Sequence, residues 1–167
     1  MNKSNLFFAI LFAISLFSCK KNKDTAPAFN NDDFVKFKIN GTLVQTSAWN
    51  ASYGKLVGNM ITCNITSNMH QDKKNININV NAVTPGTYPL GSNNALEANK
   101  AYGSYFPDYS NYFQAYDFIS GNFTITQIDT IQKIYAGRFE GTLKDSNTGM
   151  EYAVTEGEFR SKNLKKF

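Results

Sequence analysis

Asn75-Ile76-Asn77-Ile78-Asn79-Val80-Asn81-Ala82 alternates amide and apolar side chains without a break. Successive side chains of a strand point to opposite faces, so this order puts Ile76, Ile78, Val80 and Ala82 against a core. Asn77, Asn79 and Asn81 face water. A helix would scatter both sets around its circumference. Such a strand needs neighbours, and the same period of two recurs along the chain. Phe34 to Asn40 places Val35, Phe37 and Ile39 on one face and Lys36 and Lys38 on the other, then runs into an Asn40-Gly41 turn. Thr42 to Trp49 returns, with Trp49 as an anchor for one end of the core. Met60 to Thr66 alternates through Ile61, Cys63 and Ile65 and pairs with the asparagine strand as a hairpin, across a polar turn that holds His70.

Thr84-Pro85-Gly86-Thr87 is a turn signature. Leu90 to Ser110 reads as a long irregular loop with a helical turn near Asn94 to Lys100. Alternation resumes at Gly121 to Asp129. It continues from Ile134 to Leu143, where Tyr135, Gly137, Phe139, Gly141 and Leu143 share a side. After a turn over Asp145 to Gly149, Glu151 to Phe159 closes the domain with Tyr152, Val154 and Phe159. Glycines inside these last strands mark bulges or close backbone approach. Strand formers are common and helix formers scarce, so the expected fold is all-β. It is an antiparallel β-sandwich or a partly closed β-barrel of about eight to nine strands, the sandwich being preferred.

The chain opens with a cation at Lys3 and an apolar run from Leu6 to Phe17, too short to span a bilayer as a helix, which needs about 20 residues. Leu16-Phe17-Ser18-Cys19 has the form of a lipobox: apolar residue, any residue, small residue, cysteine. This predicts a lipoprotein signal peptide over residues 1–18, with Cys19 lipidated and first in the mature chain. Residues 19–33 form a polar tether whose Lys20, Lys21 and Lys23 either rest on anionic headgroups or stay solvated. Residues 34–161 form a single β domain, and residues 162–167 a basic tail. Lys20 follows the lipid cysteine where an inner-membrane retention signal would carry Asp. The expected location is therefore the outer membrane of a bacterial envelope, facing the periplasm, with surface display as the alternative.

The formal net charge of +4 sits mostly in the two tails, so no basic stripe suits a nucleic acid. Lipidation of Cys19 leaves Cys63 alone, which excludes an intramolecular disulfide. With His70 the single histidine, a Ser-His-Asp or Cys-His site would have to use a side chain placed in a turn, and zinc would lack its usual ligands, so a solvated turn histidine is the preferred reading. No phosphate loop or dinucleotide fingerprint occurs, and no cofactor or metal is expected. Asp145 to Gly149 lacks the ligand series of a calcium loop. Two function classes remain. One is a non-catalytic binding or assembly module whose partners are the membrane, through its lipid, and an envelope glycan or protein. The other is a hydrolase of envelope or external glycans using paired carboxylates such as Glu156 and Glu158. Tyr102, Tyr105, Tyr109 and Tyr112 are the candidate ligand contacts, in a segment that concentrates aromatic rings; the same rings could instead cover an open end of the core.

Five blocks carry a resemblance: Asn40-Gly41, Pro85 to Leu90, Gly121 to Thr126, Gly137 to Leu143 and Thr155 to Phe159. They resemble the turn and strand markers of a Bacteroidetes lipoprotein family of unknown function. The resemblance implies an all-β lipoprotein over nearly all of the mature length and assigns no ligand or activity. Glu156 stands where the resemblance would place Asp.

Overall fold

The computed structural model describes residues 33–47, 49–55, 60–67, 74–92, 94–95, 97–108, 110–111 and 114–167. Cys19, His70, Tyr109, Tyr112, the expected signal peptide and nearly all of the expected tether lie outside the described residues.

The described chain is all-β, with eleven strands in one sheet rather than eight or nine in two separate layers. They are β1 (Phe34–Ile39), β2 (Thr42–Thr46), β3 (Trp49–Lys55), β4 (Ile61–Ser67), β5 (Asn75–Val80), β6 (Gly86–Pro89), β7 (Ala101–Phe106), β8 (Tyr116–Asp129), β9 (Ile134–Asp145), β10 (Glu151–Ser161) and β11 (Lys165–Lys166). Their order is β11-β3-β4-β5-β7-β8-β9-β10-β1-β2, with β6 added against β8. Every pairing is antiparallel except that of β11 with β3.

This single sheet curls into a half-barrel, and contacts between strands that are not neighbours show the curl. Trp49 of β3 meets Phe159 of β10 with ring centroids 6.3 Å apart. Phe37 of β1 reaches Tyr105 of β7, and the Cys63 thiol of β4 faces Tyr135 of β9. Between the two halves lies one core, built on Phe37, Phe118, Phe123, Tyr135, Phe139 and Phe159, with Ile65, Ile76 and Ile78 opposite. Burying a side chain of this size stabilises a fold by roughly 1.5–3 kcal/mol.

Local chemistry explains most of the connections. Asn40 and Gly41 both take positive φ, 45° and 81°, as a two-residue hairpin turn of the inverse kind requires. Asn40 also ties the turn to β10, its N–H donating to the Ala153 carbonyl and its side chain accepting from the Ala153 N–H, each at 2.9 Å. β8 is long because it serves two partners: its start pairs with β7 and its middle with β6. Between them Gly121 adopts φ 145°, and a Cβ there would lie 2.1 Å from the Glu140 carbonyl oxygen.

Two expectations are corrected. Ala101–Phe106 is a strand, β7, inside the segment read as an irregular loop with a helical turn; Tyr102 and Tyr105 therefore have strand rather than helix spacing. The basic tail also belongs to the fold. Lys165 and Lys166 pair with Ser52 and Tyr53, Leu164 is buried, and the Phe167 N–H donates to the Tyr53 carbonyl.

Candidate functional site

The half-barrel stays open beside β2, the last strand of the sheet, and a cleft of about 360 Å³ lies there. β2 supplies one wall through Leu43, Val44, Gln45 and Thr46, while Ser67, Lys74 and Asn75 form the other. Phe37, Ile76 and Tyr105 make its floor. These three face inward because their strands alternate, and each is buried beneath the cleft. Leu43 is 52 % exposed, which leaves an apolar lip. The volume falls within the range of small-molecule sites, about 300–1,000 Å³.

Hydrogen bonds fix the wall opposite β2. The Asn75 side-chain amide donates to the Ser67 carbonyl at 2.7 Å, and the Ile76 N–H donates to the Ser67 hydroxyl at 2.9 Å. Burial, together with Tyr116 beside it, pushes the Tyr105 phenol up to about 12, so it is a neutral hydroxyl at physiological pH. Lys74 is the only charged residue that lines the cleft among the described residues. The arrangement suits a ligand with an apolar or aromatic body and a negative or polar end.

The sequence candidates divide. Tyr105 is 4 % exposed and belongs to the core, so it contributes to the cleft floor rather than to an exposed loop. Tyr102 points the other way, half-buried on the outer face of β7. The sequence reading missed the β2 wall, because a wall made by a terminal strand depends on sheet order. The exposed Leu43, on a face otherwise given to Lys36 and Lys38, was the available signal.

Glu156 and Glu158 lie outside the barrel on β10, side by side rather than opposed. Glu156 pairs with Lys38 at 2.7 Å and Glu158 with Lys36 at 2.8 Å, across the β1–β10 ladder. Both line a shallow outer groove with Arg138 and Leu43. Asp145 caps its own turn, its carboxylate accepting from the Asn147 N–H at 2.8 Å and the Thr148 hydroxyl at 2.7 Å. No cluster of three or more His, Cys, Asp or Glu able to hold a metal occurs among the described residues. Compared with known proteins, the chain matches no family model, no curated protein and no solved structure.

Proposed function

We propose that the chain is a bacterial envelope lipoprotein of the Bacteroidetes type, held at the outer membrane by lipid on Cys19, whose β domain is a non-catalytic binding module. The cleft beside β2 is its ligand site. The observation that carries this reading is the cleft under the last strand of the sheet, floored by the buried Phe37, Ile76 and Tyr105 and walled by the more accessible Leu43 and Val44. Burying apolar ligand surface there supplies affinity, and Lys74 selects a negative end. A lipid tether suits such a module, since confinement at a membrane raises the effective concentration of membrane-bound partners.

The experiment has two arms. The anionic aromatic dye 1-anilinonaphthalene-8-sulfonate, added to the purified mature protein, should bind with a fluorescence rise, and Val44→Asp, which lowers stability because Val44 also packs against the core, should remove that rise at a temperature where the variant is folded. Equal binding by folded wild type and variant, or none by either, overturns the cleft as the site. In cells, Cys19→Ala should abolish labelling by radioactive palmitate and move the protein out of the membrane fraction; unchanged labelling overturns the anchor.

A further inference from the structure

The water-facing side of the sheet is divided into two chemically different halves. On β9, β10 and β1 it is ionic, carrying Arg138, Glu140, Glu158 and Lys36. On β3, β4, β5 and β7 it carries amides and hydroxyls instead, arranged in two rows that run across the strands. One row is Asn50, Thr66, Asn77 and Ser104, each directly opposite the next, and it ends at Asp117 of β8. The second is Ser52, Asn64, Asn79 and Tyr102. On β3, β4, β5 and β7 neither row contains a charged side chain; the charges stand at the ends, where Asp117 of β8 accepts a 2.6 Å hydrogen bond from the Ser104 hydroxyl and the exposed Lys165 of β11 lies opposite Ser52.

The amides hold one another in place. The Asn64 Nδ2 donates to Asn77 Oδ1 and to Asn79 Oδ1, both at 2.8 Å, and the Asn79 Nδ2 donates to Asn77 Oδ1 at 3.1 Å. The Thr66 hydroxyl donates to Asn64 Oδ1 at 2.6 Å. Asn77 therefore serves as an acceptor in this network, which leaves its own Nδ2 hydrogens for a ligand. Fixing these side chains in advance removes part of the ordering cost of binding. Neighbouring strands are about 4.8 Å apart, so each row repeats its polar groups at nearly the length of one pyranose unit in an extended chain, and the longer row spans about 19 Å. Tyr102 closes the second row with an aromatic ring, the kind of group on which a pyranose stacks.

We propose that this outer face binds an extended, uncharged polysaccharide laid across β3, β4, β5 and β7 along the two rows. The uncharged surface matches a neutral glycan, and the repeating amides and hydroxyls match its hydroxyl groups. The site shares no residue with the cleft and does not rest on it.

Native affinity electrophoresis of the purified mature protein tests this, with soluble neutral polysaccharides in the gel (a mixed-linkage β-glucan, a xylan, a galactomannan) and polygalacturonate as the anionic control. At least one neutral gel should retard the protein, and added salt should not relieve the retardation. Asn77→Ala combined with Asn79→Ala should weaken binding at least about tenfold, and Tyr102→Ala likewise. Ser52→Leu fills the row with an aliphatic side chain that neither stacks on a sugar nor hydrogen-bonds it, leaves the amide network intact, and should also abolish retardation; it serves if the double variant fails to fold. Val44→Asp, whose side chain lies in the cleft wall and not on the outer rows, should leave retardation of the folded protein unchanged. Three results overturn the proposal: no retardation in any neutral gel, retardation by polygalacturonate alone, or full retardation of a folded Ser52→Leu or Tyr102→Ala protein.

Discussion

Phe37 of β1 and Tyr105 of β7 meet edge to face, their ring centroids 5.8 Å apart and their planes at 84°, although β8, β9 and β10 separate their strands in the sheet. The contact joins the two halves of the curled sheet and forms part of the cleft floor. Tyr105→Ala should therefore cost about 3–5 kcal/mol in a denaturant titration, as removal of a large buried aromatic does. Tyr105→Phe keeps the ring and should lose far less. Tyr102→Ser, on the other face of the strand and half-buried, should cost clearly less, about 1 kcal/mol, the scale of a cross-strand pair. Equal losses at Tyr102 and Tyr105 would contradict the assigned faces of β7.

The strands that carried both period and turn chemistry were legible in the sequence: the Asn40-Gly41 hairpin, the β4–β5 pair, and β9 with Tyr135, Phe139 and Leu143 inward. β7 was not, because Gly103 stands where an apolar side chain would have marked the inward face. Its Cβ would lie 2.3 Å from the Asn77 carbonyl oxygen, so close approach of β5 removed the signal. Val154 and Phe159 are both buried although they stand five positions apart, an odd interval that strict alternation would place on opposite faces. A bulge between Val154 and Gly157, with Glu156 at φ 54°, absorbs the extra residue. Sheet order and the cleft it opens depend on long-range pairing, which no local pattern encodes. The asparagine rows could be suspected from β5 alone, but not their continuation through Thr66, Ser104 and Asn50.

Gly41 and Gly121 both have positive φ but differ in surroundings, which separates strain from collision. No atom lies within 4 Å of a Cβ built at Gly41, so Gly41→Ala carries only the left-handed backbone penalty, about 1–2 kcal/mol. At Gly121 the added Cβ also meets backbone atoms of β9. Gly121→Ala should cost clearly more, and the difference between the two variants in thermal or denaturant unfolding measures the collision.

Cys63 is wholly buried, and burial pushes its thiol up to about 12, an effect that the Tyr135 hydroxyl beside it partly offsets. That hydroxyl closes no hydrogen bond of ordinary geometry, and its burial likewise holds it well above the usual phenol value. The thiolate is the reactive form, so the folded protein should resist 5,5′-dithiobis(2-nitrobenzoate) at neutral pH and react at the rate of unfolding. Groups raised in the folded state favour folding while protonated. Their contribution is complete below the unfolded thiol value of 9.0 and is lost as pH rises towards about 12. Stability should therefore fall along an alkaline limb, and Cys63→Ala should make the onset of that limb shallower.

Asp145 gives the opposite sign at the acid end. The Thr148 hydroxyl and the Asn147 N–H hold its carboxyl below the ordinary 3.8, favouring the charged form in the folded turn. Its contribution is present above that value and is lost as pH falls through the lowered folded value. The same turn is closed by the Gly149 N–H donating to the Asp145 carbonyl at 2.8 Å, so the side chain adds to a backbone framework that survives without it. Asp145→Asn keeps the shape and one acceptor oxygen but removes the titration. It should lower stability at neutral pH and flatten the dependence on pH below 3.8, measured as melting temperature across an acid series. An acid limb equally steep in wild type and variant would mean that other carboxylates set it and that Asp145 contributes geometry alone.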